Sequence, residues 1–267
     1  MKISFIGAGN MGRALASAVL NKAPKENILI TNRTPEKAMN FANETGITYA
    51  ENIRAFKEGF FIFLGVKPQM MEELLNEYKD ILKERKDRFI LVTMAAGLTT
   101  DKISQMAGCD YPIIRIMPNT PVAVGEGMTL ISANPLVTEN ELSQFSDLLS
   151  SSGKTDIIPE ELIDAGCALS GCGPAFVYMF ADALAKSGEN HGLSYEKARL
   201  YAEQTLKGAA KLAMSSKETL EELRINVCSP GGATIEGVKS LWNNNFEEIT
   251  KNAVDAAYNR TKELNKN

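Results

Sequence analysis

The stretch Ile3-Ser4-Phe5-Ile6-Gly7-Ala8-Gly9-Asn10-Met11-Gly12 decides the fold. Ile3 to Ile6 is an apolar run of strand character that stops at a glycine. Gly7 to Gly12 then fits G-x-G-x-x-G, and Ala14, Leu15, Ala18 and Val19 follow at helical spacing. Glycines between a strand and a helix permit a tight turn. They also let a pyrophosphate approach the helix N-terminus, where free amides and the helix dipole attract an anion. The next apolar strand, Ile28 to Thr31, ends about 20 residues after Gly12, as a dinucleotide fingerprint requires. Ile6, Gly7, Ala8, Gly9, Asn10, Met11 and Gly12 are therefore expected around a dinucleotide.

The end of that second strand bears on which dinucleotide. An NAD site usually places Asp or Glu there to accept the ribose hydroxyls. Here the residues are Asn32-Arg33-Thr34, with no carboxylate before Glu36. Arg33 is a planar cation suited to a 2′-phosphate and able to stack on adenine. NADP(H) is favoured, with NAD(H) left open.

Outward from this motif the chain alternates. Strands are expected at Phe60–Gly65, Phe89–Thr93, Ile113–Met117, Met128–Ser132 and Thr155–Ile158. Helices are expected from Pro35 to about Thr45, from about Pro68 to Lys83, and after Thr99. Continuous apolar strands separated by amphipathic helices imply a mostly parallel sheet covered on both faces. Right-handed crossovers then give an α/β, doubly wound, Rossmann-type domain over residues 1–159. Composition shifts near Pro159. Residues 161–169, 174–188, 194–214, 217–225, 234–242 and 246–264 read as helices, so 160–267 is expected to be an all-α second domain.

Bulk properties narrow the class. The 267 residues carry a net charge of -4 with no basic stripe, which argues against a nucleic-acid partner. The longest uninterrupted apolar run, Phe60 to Val66, is far too short to span a membrane, and no secretory leader pattern opens the chain. Cys109, Cys167, Cys172 and Cys228 form no CxxC pair and His191 is the single histidine, so no metal site is expected. The cysteines read as reduced thiols of a cytoplasmic protein.

Hydride transfer to a carbonyl develops alkoxide charge, and such enzymes position a His, Lys or Tyr as the acid. His191 lies in Gly188-Glu189-Asn190-His191-Gly192, which reads as a surface turn. The β-hydroxyacid dehydrogenases pair a Rossmann domain with a helical one and carry a catalytic lysine on its first long helix. The corresponding Ser170–Phe176 stretch has no lysine before Lys186. A cyclic imine would explain the gap, because its nitrogen can be protonated before hydride arrives.

Several motifs then occur in order. They are Phe5–Gly12 (FIGAGNMG), Gly65–Gln69 (GVKPQ), Ala95–Gly97 (AAG), Met117–Pro121 (MPNTP), Leu169–Phe176 (LSGCGPAF) and Val227–Thr234 (VCSPGGAT). Together they make the chain similar to the pyrroline-5-carboxylate reductase family over nearly its whole length. The resemblance implies an all-α dimerisation domain, reduction of 1-pyrroline-5-carboxylate to L-proline, and a homodimer unit with room for larger assembly. It implies that Asn32, Arg33 and Thr34 surround the adenosine ribose with Asn52 nearby. It also implies that Val66, Lys67 and Pro68, then Ala95, Ala96 and Gly97, line the nicotinamide side. Asn119, in its rigid Pro-Asn-Thr-Pro turn, suits cofactor or substrate contact.

The last motif would hold the substrate. Ser229 is expected to cap a helix whose first turn contains Pro230. Gly231 and Gly232 bare the backbone, so a carboxylate could sit against the amides of Gly232, Ala233 and Thr234. The Thr234 hydroxyl would then bond the ring nitrogen as the catalytic contact. The chain departs from the family pattern at Cys172, Cys228 and Ala233. Lys217 stands where many members have glutamate, with Glu218 directly after it. Two further readings stay open: a reductase of another cyclic imine acid, and a dinucleotide-sensing paralogue without turnover.

Overall fold

The computed structural model describes residues 1–264. Residues 265–267, the end of the expected helical domain, lie outside the described residues. Strands β1 (Ile3–Ile6), β2 (Ile28–Thr31), β3 (Thr48–Tyr49), β4 (Phe61–Leu64), β5 (Ile90–Thr93), β6 (Ile113–Pro118), β7 (Gly127–Ala133) and β8 (Gly153–Ile157) form one sheet, ordered β3-β2-β1-β4-β5-β6-β7-β8. Pairings from β3 through β6 are parallel. Helices α1 (Asn10–Val19), α2 (Pro35–Thr45), α3 (Asn52–Glu58), α4 (Met71–Glu84), α5 (Thr100–Ala107) and α6 (Glu139–Leu149) accompany the sheet.

Every residue of β1, β2, β4, β5 and β6 is buried, which is why these strands read as unbroken apolar runs. One face packs Ile3, Phe5, Phe63 and Val92 with α1 and α6, and Phe5 stacks on Phe63 at 4.4 Å between ring centroids. The other packs Ile62, Leu64 and Leu91 with α3, α4 and α5.

The sheet departs from the expected pattern at its far end. β7 runs antiparallel to β6, while β8 is parallel to β7. Only Asn119–Glu126 joins β6 to β7, shorter than the roughly 10–12 residues a parallel crossover needs. The chain therefore turns back on itself. The sequence reading also passed over β3, α3 and α6. The first two are short, and α6 is largely polar on its outer face.

The chain forms two compact units. One is Met1–Cys172 together with the chain from Ala257 onward, and the other is Gly173–Ala256. Within the first, α7 (Ile163–Gly166) passes into a turn of π-helix, Cys167–Gly171. The second contains α8 (Gly173–Asn190), α9 (Tyr195–Ser215), α10 (Leu220–Asn226), α11 (Ala233–Asn243) and the start of α12 (Phe246–Leu264). α8 and α9 form a hairpin. A Cβ on Gly188 would come within 2.9 Å of Ala198 Cβ, and Tyr195 Oη donates to Asp182 at 2.8 Å.

This helical unit buries little of its own apolar surface. Tyr178 is 64% exposed, Met179 73% and Leu212 60%. Within Glu160–Asn190 an 18-residue window reaches a mean hydropathy of 1.3, so by length and composition alone this stretch is apolar enough to cross a membrane. Polar residues punctuate the stretch, so it contains no long uninterrupted apolar run.

At α6, Thr138 and Glu141 form a reciprocal capping box, and Arg88 grips Glu141 with bonds of 2.7 and 2.8 Å. Arg88 and the Thr138 donors hold the Glu141 carboxyl down to about 2. A depressed carboxyl stabilises the fold above its unfolded value near 4.5 and loses that contribution as pH falls toward 2. Glu141→Gln should therefore destabilise the protein by about 1 kcal/mol at neutral pH. Urea unfolding across pH should show the gap to wild type shrinking below pH 4.5.

Candidate active site

β1 lies between β2 and β4, so the strand order reverses at the β1/β4 boundary. In doubly wound sheets ligands bind outside the carboxyl ends of the strands at such a point. The turns leaving β1 and β4 meet there. Gly7 has φ +117° and its amide donates to Thr31 C=O at 2.9 Å, while the Gly65 amide donates to Ile6 C=O at 2.8 Å.

The glycines of the first motif are required for different reasons. A Cβ on Gly7 would sit 2.4 Å from Gly65 O, and one on Gly12 would sit 2.3 Å from Gly7 O. Both positions are closed by the protein's own backbone. A Cβ on Gly9 would meet nothing within 4 Å. Gly9 is also the N-cap of α1, with no side-chain cap bond and no acidic residue in the first turn. An exposed glycine facing open space, over uncapped amides at Asn10, Met11 and Gly12, fits a pyrophosphate.

The side where the sequence leads one to expect adenosine is assembled by side chains that hold loops as well as face solvent. Asn32 Oδ1 accepts from the Ala8 amide at 3.0 Å, and its Nδ2 donates to Thr34 C=O at 3.0 Å. Asn32 thereby ties the end of β2 to the glycine loop. Thr31 Oγ1 donates to Asn52 Oδ1 at 2.7 Å, which brings the first residue of α3 to the same end of the sheet. Arg33 and Thr34 are exposed. An Arg33 Nη–H points at the Met70 sulfur at 3.9 Å, so Arg33 reaches the turn that follows Val66-Lys67-Pro68. Lys67 is exposed at the head of the short 3-10 helix Pro68–Met70.

Ala95, Ala96 and Gly97 follow β5 at the same carboxyl edge, with Gly97 at φ +81°. Asn119 follows β6 there. Its Oδ1 accepts from the Met128 amide at 2.9 Å and its Nδ2 donates to Ser170 C=O at 3.0 Å. The sequence reading gave Asn119 a cofactor or substrate contact; the structure gives both ends of its amide a protein partner. Met117, Leu130 and Ile163, with Ala96, Met128 and Cys167 against them, form a small apolar cluster below these turns. Burial, reinforced by Cys172 and Asp164, pushes the Cys167 thiol up to about 11, so it stays protonated.

The sequence reading missed one cluster. Arg115 on β6 is 1% exposed. Its amino groups reach Glu160 at 3.3 Å and Asp164 at 3.2 Å. Glu160 in turn accepts from the Thr100 amide at 2.9 Å and from its hydroxyl at 2.7 Å. The signal was present: a charge inside the buried strand Ile-Ile-Arg-Ile-Met-Pro needs a partner.

In the helical unit, the Ser229–Gly232 stretch corrects one expectation. Ser229 does not cap the helix. Gly232 is the N-cap of α11, and Pro230 lies before it. The Gly232 amide donates to Ser229 C=O at 3.0 Å and Gly231 has φ +70°, so Ser-Pro-Gly-Gly is a tight turn with proline and glycine at its centre. No side chain caps α11, and Thr234, its second residue, is exposed. Arg224 of α10 lies over the Trp242 ring of α11 at 4.9 Å, bracing the helices on either side of the loop. His191 is exposed in the α8–α9 turn.

Comparisons with known proteins agree along the whole chain. Residues 160–264 match the family model described as pyrroline-5-carboxylate reductase dimerisation, and residues 2–97 match that of the NADP oxidoreductase, coenzyme F420-dependent. A pyrroline-5-carboxylate reductase of Aquifex aeolicus is 38% identical over 99% of this chain and 97% of its own length. The chain belongs to the pyrroline-5-carboxylate reductase family. A family structure from Coxiella burnetii superposes with a TM-score of 0.92 at 34% identity, covering 98% of both chains. The Plasmodium falciparum pyrroline carboxylate reductase, solved with NADP bound, gives 0.87 at 33% identity over 99% of this chain and 98% of that one. The α/β domain is a nicotinamide dinucleotide-binding domain, and the helical region is the dimerisation domain of this family.

The glycines give a discriminating test. Gly9→Ala should shift stability by about 1 kcal/mol or less, the scale of a glycine-to-alanine change at an N-cap, yet weaken NADPH binding about tenfold or more, because the methyl enters open space meant for phosphate. Gly12→Ala should instead lower the melting temperature, with its Cβ forced onto Gly7 O. Thermal unfolding and fluorescence titration with NADPH read the two effects separately.

Proposed function

We propose that this chain reduces 1-pyrroline-5-carboxylate to L-proline, the last step of proline biosynthesis, with NADPH as the reductant and NADH as a poorer one. The observation that carries the reading is full-length kinship with reductases of this name, 38% identical across 99% of the chain in one case. The glycine crevice and the Ser-Pro-Gly-Gly turn are both intact within it.

The reaction asks little acid chemistry of the protein. A cyclic imine carries its proton on nitrogen before reduction, so the electrophile is already activated. When bound, the reduced dinucleotide would supply a hydride to the iminium carbon; the C=N π pair then passes to nitrogen, which stays in the ring as a secondary amine. The residues then have binding and orienting roles. The uncapped amides of α11, at Ala233 and Thr234 beside the bare backbone of Gly231 and Gly232, hold the substrate carboxylate with help from the helix dipole. Ser229 supports the turn that exposes them: its carbonyl accepts from Gly232, and a Cβ on Gly232 would sit 2.5 Å from its Oγ. The Thr234 hydroxyl bonds the ring nitrogen and fixes which face meets the hydride.

Asn10, Met11 and Gly12 present amides to the pyrophosphate, and Ala95–Gly97 with Val66–Pro68 flank the nicotinamide. Arg33 and Thr34 take the 2′-phosphate of NADPH, a reading supported by their exposure and by the lack of a carboxylate before Glu36. Residues 160–267 serve as the dimerisation and substrate-binding domain of a homodimer that can assemble further. The exposed apolar side chains of α8, Val177, Tyr178 and Met179 among them, supply a face for a second copy. Four free cysteines suit the cytoplasm.

Initial rates with pyrroline-5-carboxylate test the reading. Thr234→Ala should lose one hydrogen bond to a charged group and its orientation, about 1.5–3 kcal/mol or roughly 10–100-fold in kcat/KM. Arg33→Ala should raise the KM for NADPH about tenfold while leaving that for NADH within about twofold, because only NADPH carries the phosphate that Arg33 would pair. Equal effects on both cofactors would remove Arg33 from the phosphate site.

A further inference from the structure

We infer that Asn119 and Arg115 are positioning residues for hydride transfer, holding the Ser170–Cys172 turn at the carboxyl edge of the sheet. The inference rests on the proposed reaction but assigns these two side chains a role no motif gave them. Asn119 sits where β6 ends, at the same edge as the turns after β1, β4 and β5. It acts on two backbone groups of different elements: the Met128 amide of β7 at 2.9 Å and the Ser170 carbonyl at 3.0 Å. The carbonyl belongs to the π-turn Cys167–Gly171, closed by the Cys172 amide on Cys167 C=O at 3.0 Å. A π-turn is a weaker closure than an α-turn and recurs at functional sites. It needs an external tie to keep one geometry.

Arg115 supplies the second tie. It lies on β6, the strand that leads into Asn119, and is buried. Through Asp164 it fixes α7, the helix that runs into the π-turn. Through Glu160 it reaches the amide and hydroxyl of Thr100, shortly after Gly97 in the chain. The apolar cluster that joins Met117, Ala96 and Cys167 completes the arrangement. One strand thereby sets the mutual placement of the nicotinamide-flanking Ala95–Gly97 turn and the Ser170–Cys172 turn. Neither Asn119 nor Arg115 has to touch substrate or cofactor to do this.

Asn119→Asp separates the two bonds, because it keeps the acceptor for Met128 N–H and loses the donor to Ser170 C=O. In the full-length enzyme it should lower kcat about tenfold or more, since displacement of reacting groups by about 1 Å costs on the order of 10²-fold. The NADPH dissociation constant should stay within about twofold of wild type. The primary deuterium isotope effect on kcat, measured with NADPH deuterated at the transferred C4 position, should rise as hydride transfer becomes limiting. Arg115→Lys keeps the charge but loses the planar two-pronged reach. It should show the same signature and decides the matter if Asn119→Asp does not fold. The inference is overturned if weaker NADPH binding accounts for the loss. It also fails if both variants turn over with the wild-type rate and isotope effect, or if only the melting temperature falls. Failure of the function itself reads differently: wild-type enzyme would then not oxidise NADPH with this substrate.

Discussion

The turn after β1 passes against the turn after β4 with backbone touching backbone, and the rest of the α/β domain is arranged around that approach. A single methyl at Gly7 would meet the Gly65 carbonyl at 2.4 Å, and a methyl at Gly12 would meet Gly7 O at 2.3 Å. Such overlaps are not relieved by rotating a side chain, because both partners are main chain. The approach aims α1 at the crevice where the strand order reverses, and its uncapped amides follow Gly9, the glycine of this motif where a methyl would touch nothing. Glycines at 7 and 12 serve the fold, while the open space at Gly9 suits the ligand role proposed for it. The same letter in a motif thus reports two physical demands, and only the surrounding geometry separates them.

Charge enters the fully buried strands of the sheet at one point, Arg115, with large consequences. Arg115 is sealed inside β6, and burying its guanidinium is tolerable only because two carboxylates from the connecting segment come to meet it. An apolar pair of equal volume would hold the segment about as firmly, but it would not fix direction. Hydrogen bonds to Glu160 and Asp164, and from Thr100 to Glu160, specify which turn sits beside which. Asn119, just past the end of that strand, repeats the device with a neutral amide.

What the sequence disclosed, and what it hid, follows from the range of the interactions. β1, β2, β4, β5 and β6 were legible because burial on both faces makes each a continuous apolar run, and the helices between them because their apolar residues recur at helical spacing. The bounds of α2 and α12 and the cofactor edge were read from local pattern. The reversal of β7 was not, since it depends on the length of a connection rather than on the composition of a strand. Ser229 was misplaced as a cap for a similar reason. Ser-Pro-Gly-Gly satisfies the letter preferences of both a helix start and a tight turn, and the positive φ at Gly231 decides for the turn. Arg115, Glu160 and Asp164 lie up to 49 residues apart and announce themselves only through one oddity, an arginine in a buried strand.

The helical unit poses a different constraint, because its residues make sense only in company. A helix pair whose buried residues are alanines, such as Ala185, Ala198 and Ala202, has little core of its own. Its large apolar side chains point outward, and water is a poor solvent for a helix that exposes Val177, Tyr178 and Met179. The hydropathy that makes Glu160–Asn190 long and apolar enough for a bilayer is the same property that a subunit interface uses. The family's dimerisation model covers this run from its first residue. The Ser229–Gly232 turn is held at the edge of that unit by α10 and α11, which Arg224 and Trp242 clasp from outside the loop. In the substrate-holding role proposed for it, a turn braced by surface helices is no more rigid than the assembly that buries those helices. On the proposed role of that turn, covering the exposed faces around it would also steady the groups that orient the imine.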